Sequence, residues 1–255
     1  MKNNILFIFL GLIVSCGNQE PTIEVSQVEL LADEYLEALF EREPTLGTFY
    51  SIEGADHDQL PDNSLEALAD WEKREDVWLD KLIKLEEPTA VGSRDWVSYG
   101  ILRETLESAI DLRVCQDSLW QASDATGWHR DLPFIFDIQP VDTIEHRVQA
   151  LDRLSSVAQF IDIEIANLRT GLDMGYSSPR VSVEAVPNQV RSLISEDSIF
   201  LSPARRSDDE DFSLGVAKIY TDEIIPAVNR FADFIETIYL PQAREEIAIT
   251  ANPDG

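Results

Sequence analysis

Residues 144–172 read IEHRVQALDRLSSVAQFIDIEIANLRTGL. Ile144, Val148, Leu151, Leu154, Ala158, Ile161, Ile165, Leu168 and Leu172 recur at a period near 3.6, which places them along one stripe of a long helix. Gly171 and Gly175 offer stops, because glycine accepts the left-handed turn that commonly ends helices. Leu151, Leu154, Ile161 and Ile165 are expected to be buried along this stripe.

The segments around it repeat the signal. Downstream, Ser178 reads as an N-cap with Pro179 at the first helical position, opening a helix through Val183, Val186, Val190, Leu193 and Ile194 with a bend at Pro187. A last long pattern runs from Phe212 to Tyr239, with a kink expected at Pro226 and a break at Pro241. Upstream, Ser26 and Glu29 have capping-box spacing ahead of Val28, Leu31, Tyr35, Leu36 and Leu39. Asn63 and Glu66 repeat it ahead of Leu65, Leu68, Trp78, Leu82 and Ile83, and Val97, Leu102, Leu106 and Ile110 mark a third stripe. Residues 120–141 hold Trp120, Gly127, Trp128, Pro133 and Pro140 without a period, and read as a packed irregular segment. No strand alternation is present. The fold class is therefore all-α, with long helices in an antiparallel array.

The first residues read as an export leader. Lys2 precedes the apolar run Ile5 to Val14, too short to span a bilayer but suited to a signal-peptide core. The run ends Ser15-Cys16-Gly17, which has the form of a lipobox. Residues 1–16 are thus expected to be a lipoprotein signal peptide, with Cys16 lipidated and holding the chain to a membrane of the cell envelope. Residues 17–23 read as a tether and 24–255 as the helical domain. With 48 acidic and 20 basic residues the formal net charge is −28, a surface that repels nucleic-acid phosphates.

Chemistry-bearing motifs are sparse. The three histidines, His57, His129 and His146, are too far apart for an HExxH helix, and each reads as a surface or capping residue. Trp128-His129-Arg130-Asp131 is the most site-like cluster, and Trp128, His129 and Arg130 are the candidate pocket residues. The run Asp208 to Asp211 lacks the glycine and closing glutamate of a calcium loop and reads instead as the acidic start of a helix. Cys115 reads as a small buried apolar residue. No catalytic or metal-binding residue is assigned.

Several stretches resemble the bacterial domain-of-unknown-function family 885. They are Asp33-Glu34-Tyr35-Leu36 to Glu43-Pro44-Thr45-Leu46-Gly47, and Asp56-His57-Asp58-Gln59-Leu60-Pro61-Asp62. The segment Thr143 to Gly171 comes next, with Arg153-Leu154 and Asn167-Leu168-Arg169-Thr170-Gly171. Gly175-Tyr176, Ser178-Pro179-Arg180-Val181, Gln189-Val190, Pro226 and Tyr239-Leu240-Pro241-Gln242-Ala243-Arg244 complete the set. The resemblance implies the N-terminal part of a zincin-like helical peptidase fold, with zinc and the HExxH helix in a C-terminal half that has no counterpart here. It implies a scaffold and substrate-cleft role, with peptide as the full-length substrate. The other readings are a non-catalytic envelope lipoprotein that binds a peptide or protein partner, and a gene remnant.

Overall fold

The structure, a computed structural model, describes residues 25–253. The leader 1–16, its Cys16 and the tether 17–23 lie outside the described residues. Every regular element among the described residues is helical, and the β pairing is one isolated bridge between Pro179 and Arg244. The chain is all-α.

α1 (Gln27–Arg42), α3 (Leu65–Ile83) and α4 (Arg94–Leu112) pack on one another around Val28, Leu31, Trp78, Leu82, Leu102 and Leu106. α1 begins where the Ser26 hydroxyl accepts the Glu29 N–H at 3.1 Å. α3 is capped one residue later than the spacing predicts: Ser64 accepts from the Ala67 N–H at 3.2 Å, and the Asn63 side chain is committed elsewhere. Glu34 meets Lys81 and Glu41 meets Arg74, so α1 and α3 are antiparallel. Arg113, just past α4, reaches back to Glu75 and Asp76, so α3 and α4 are antiparallel too. Leu65 and Ile83 are exposed at the ends of α3. A buried Glu75 sits between them in chain order, where the Trp71 indole and Arg113 both donate to it.

The larger core joins α5 (Trp128–Ile138), α6 (Ile144–Met174), α8 (Val186–Ser192), α10 (Glu210–Ile219) and α11 (Ile225–Phe234). α6 buries Ala150, Leu154, Val157, Phe160, Ile161 and Leu168, while Leu151 and Ile165 are half-buried. Ile144 and Val148 are exposed in its first turns. The buried face is wider than a single stripe because α6 is covered on two sides. α10 and α11 lie along one, and the 3₁₀ turn Asp117–Leu119 approaches so closely on another that a Cβ on Gly171 would stand 1.8 Å from the Leu119 carbonyl oxygen. Gly175 then ends α6 at φ 90°, a conformation that costs glycine little.

Pairings of Arg147 with Asp209, Asp162 with Arg230, and Arg169 with the Phe234 ring occur in the same chain order on both sides. α10 and α11 therefore run parallel to α6, and the chain returns between them through α7 (Arg180–Val183), α8 and α9 (Ser202–Arg205). The acidic run starts α10 as expected, with Glu210 and Asp211 in its first turn, and Asp209 adds a cap by accepting the Phe212 N–H at 3.0 Å. Two wide π turns, Tyr220–Ile224 and Ile235–Tyr239, flank α11. The first lies just before Pro226, which has no N–H to offer the carbonyl four residues back, so the α-helical bonding cannot continue there.

Four local expectations are corrected. Residues 128–138 form the helix α5 with Pro133 inside it, because Leu132, Ile135 and Phe136 gain burial on one face. Ser178 is not a cap: its hydroxyl donates to the Trp120 carbonyl and its N–H to the Tyr239 hydroxyl. The single helix expected beyond it is two short ones, α7 and α8, broken at Glu184 and Ala185 with Pro187 in the first turn of α8. Cys115 is a free, half-buried thiol in a 3₁₀ turn rather than a core residue.

Candidate functional site

α2 (Thr45–Phe49) is too short to hold its position by its own backbone bonds. It is fixed by Arg153 on α6, whose side chain is fully buried. One terminal nitrogen of Arg153, Nη1, donates to the Thr48 hydroxyl at 2.8 Å and to the Gln139 side-chain oxygen at 2.7 Å, and Nε donates to the Gln59 carbonyl at 2.9 Å. Burial lowers the guanidinium pKa to about 10, against the opposing pull of Asp58. His57 Nδ1 lies 2.9 Å from the same Thr48 hydroxyl, and Gln139 donates to the His57 carbonyl at 3.0 Å. These bonds hold α2 and the loop after it against α5 and α6.

The clamped elements enclose a cleft of about 880 Å³. Leu46 and Phe49 of α2, Trp128, Phe134 and Ile135 of α5, and Phe160 of α6 supply apolar wall. Phe49 packs on Phe134 at 6.2 Å and on Tyr50 at 5.0 Å between ring centroids, and all three rings are partly exposed, forming an aromatic lip. Three carboxylates, Glu43, Asp131 and Glu164, line the same space. A polar chain connects Glu43 and Glu164: Arg42 Nη1 is 3.2 Å from Glu43, Arg42 Nη2 donates to Asn63 Oδ1 at 3.1 Å, and Asn63 Nδ2 donates to Glu164 at 2.9 Å. Burial raises the pKa of Glu164 against the Asn63 hydrogen bond, and raises that of Glu43 against the Arg42 charge.

Of the three candidate pocket residues, Trp128 and Arg130 line this cleft. Trp128 is 7% exposed and its indole N–H has no partner among the described residues. His129 lies outside the lining, buried, with Nε2 3.1 Å from the Gln189 side-chain oxygen. Burial lowers its pKa, the Gln189 bond opposing. Sequence reasoning missed Glu43, Asn63 and Glu164. The available signal was Glu164 itself, an acid within the turn that carries Phe160, Ile161, Ile165 and Leu168.

The reading of each histidine as a separate surface or capping residue is corrected for one pair. His57 and His146 meet edge to face, 5.7 Å between ring centroids, and His57 is buried. They do not fit zinc. His57 Nδ1 is engaged with Thr48, the buried Arg153 charge stands beside the ring, and no group of three or more His, Cys, Asp or Glu among the described residues converges on a metal position.

An all-α scaffold that builds an acid-lined, aromatic-lipped cleft on a buried arginine is the class of protein these elements define. Residues 44–255 match the family of bacterial proteins of unknown function known as DUF885, and the chain belongs to that family. Among curated proteins none matches the sequence. The fold is similar to the crystal structure of "the putative lipoprotein from Colwellia psychrerythraea", with a TM-score of 0.73 at 16% identity. That similarity covers 90% of this chain and 44% of the other, so the chain spans less than half the length of that relative.

Proposed function

We propose that this chain is the scaffold and substrate-cleft part of an exported, lipid-anchored protein resembling zinc-dependent peptidases, and that its own part is to bind an extended peptide. The cleft carries this reading: its apolar walls are punctuated by a few fixed polar groups, the composition by which proteins seat organic ligands. The described residues do not fit zinc, so no hydrolytic step is assigned to them. The second reading, a non-catalytic envelope lipoprotein, uses the same cleft and differs only in the fate of the bound peptide.

The test is fluorescence anisotropy of labelled short peptides with the purified chain, alongside the double variant Phe49→Ala, Phe134→Ala. Both rings are about half exposed, so their loss should leave the fold intact. Saturable binding weakened roughly tenfold by the variant is expected, about 1.4 kcal/mol. Absence of peptide binding, or equal binding by the variant, would overturn the proposal. Stoichiometric zinc retained through dialysis, with chelator-sensitive peptide hydrolysis, would overturn the absence of a hydrolytic role.

A further inference from the structure

Glu164 is a carboxylate placed where carboxylates are costly. It lies on the inward turn of α6 beside Phe160, and its one side-chain partner among the described residues is the neutral amide of Asn63. An acid held partly away from water is normally paired with a cation, and half-buried Glu164 is not. The nearest cation in the chain of bonds, Arg42, donates through Nη2 to Asn63 and lies through Nη1 3.2 Å from Glu43, not on Glu164. The basic residue of the lining itself, Arg130, is exposed, so water screens its charge. The lining thus carries Glu43, Asp131 and Glu164 against Arg130 alone. A second observation is independent of the acids: Phe49, Trp128, Phe134 and Phe160 border the same space, an aromatic lining that complements a cation carried on an apolar group.

We infer that the cleft is a subsite for an ammonium or guanidinium group attached to an apolar moiety, its charge held by Glu164 and its apolar part by Trp128, Phe160 and the Phe49–Phe134 lip. This rests on the peptide-binding reading and adds what the peptide must carry: a free amino terminus or a basic side chain. The cation meets a carboxylate that has no competing cation and an aromatic face that attracts positive charge. Burial favours the protonated form of Glu164, so binding of a cation is coupled to release of that proton and tightens as pH rises.

The experiment is calorimetric titration of the purified chain with four probes. They are Phe-Ala-Ala-Leu with a free amino terminus, the same peptide N-acetylated, an N-acetylated Lys-Phe-Ala-Leu, and benzylamine. Either cationic peptide should bind roughly tenfold or more tighter than the neutral one, and whichever does so identifies the source of the charge. Glu164→Gln, which keeps an acceptor for Asn63, should erase the difference with an unchanged circular dichroism spectrum. If that variant fails to fold, Glu43→Gln provides the same comparison. Equal binding of neutral and cationic peptides, or a preference that survives both variants, overturns the inference and leaves peptide binding standing. Binding of benzylamine alone, sensitive to Glu164→Gln, supports the cation subsite and overturns the peptide reading. Binding of no probe overturns both.

Discussion

Arg153 Nη1 and the Thr48 hydroxyl stand 2.8 Å apart across 105 residues of sequence, and this bond seats α2 at the edge of the cleft. The guanidinium is buried without a carboxylate in ion-pair contact, so its charge is distributed over the Thr48 hydroxyl, the Gln139 amide and the Gln59 carbonyl. Arg153→Met fits the space but leaves those acceptors without their donor. A loss of about 3–5 kcal/mol is expected, the scale for breaking a buried charged network, read as a lower urea midpoint at unchanged slope. A loss below about 1 kcal/mol would show that α2 is held by packing instead.

The cleft acids give stability a defined pH dependence. Burial raises the Glu164 pKa, so the folded state holds that proton more tightly than the unfolded chain does. Its contribution is fully present below the ordinary carboxylate range and is lost as pH rises through the raised value. Glu164→Gln should therefore melt higher than the native chain at pH 8 and at the same temperature at pH 4. His57 and His129 act in the opposite direction, because burial lowers both. Their contribution is complete above the ordinary histidine value and is lost as pH falls from there toward the lowered ones. A Glu164→Gln difference that is constant between pH 4 and pH 8 would refute the assignment.

Two substitutions on α6 separate packing from close approach. Ile161 is fully buried, and Ile161→Ala should cost roughly 2–5 kcal/mol, whereas Ile165→Ala at a half-buried position should cost less. Gly171→Ala adds one methyl, yet that carbon would stand 1.8 Å from the Leu119 carbonyl oxygen. It should cost about 3 kcal/mol, the upper end of ordinary overpacking. A neutral or stabilising Gly171→Ala in thermal unfolding would mean that the turn Asp117–Leu119 does not lie against α6.

The anchor is testable apart from the fold. Cys16 comes directly after an apolar core and Ser15, so mass spectrometry of the membrane fraction should find an acylated N-terminal cysteine. Cys16→Ser should leave the chain unprocessed or soluble. The same processed, membrane-bound product from the variant would contradict lipidation.

What was legible in the sequence was what a single helix decides. The Ser26 cap, the stop at Gly175 and the helix start at the acidic run all arise from short-range chemistry. Of the four residues expected to be buried on α6, Leu154 and Ile161 are and Leu151 and Ile165 are half-buried, while Ile144 and Val148 at the start of the same stripe are exposed, because periodicity does not say where neighbouring helices stop. α5 was hidden by Pro133, which argues locally against a helix that tertiary burial then stabilises. The site was legible only at Trp128 and Arg130. Glu43, Asn63 and Glu164 acquire meaning through bonds spanning 21 and 101 residues, and in a chain with 48 acids no single glutamate stands out. Likewise His57 and His146 come together only because Arg153 draws the loop onto α6.

The central claim is that peptide enters the cleft between α2, α5 and α6. Site-specific photocrosslinking tests it most directly, with benzoylphenylalanine placed at Phe134 on the lip or at the exposed Ile101 on α4 as a distant control. With a labelled peptide bearing a free amino terminus, the Phe134 position should yield a crosslink that excess unlabelled peptide abolishes, and the Ile101 position should yield none. Crosslinking at Ile101 equal to or stronger than at Phe134, or a Phe134 signal that excess peptide leaves unchanged, would contradict the account.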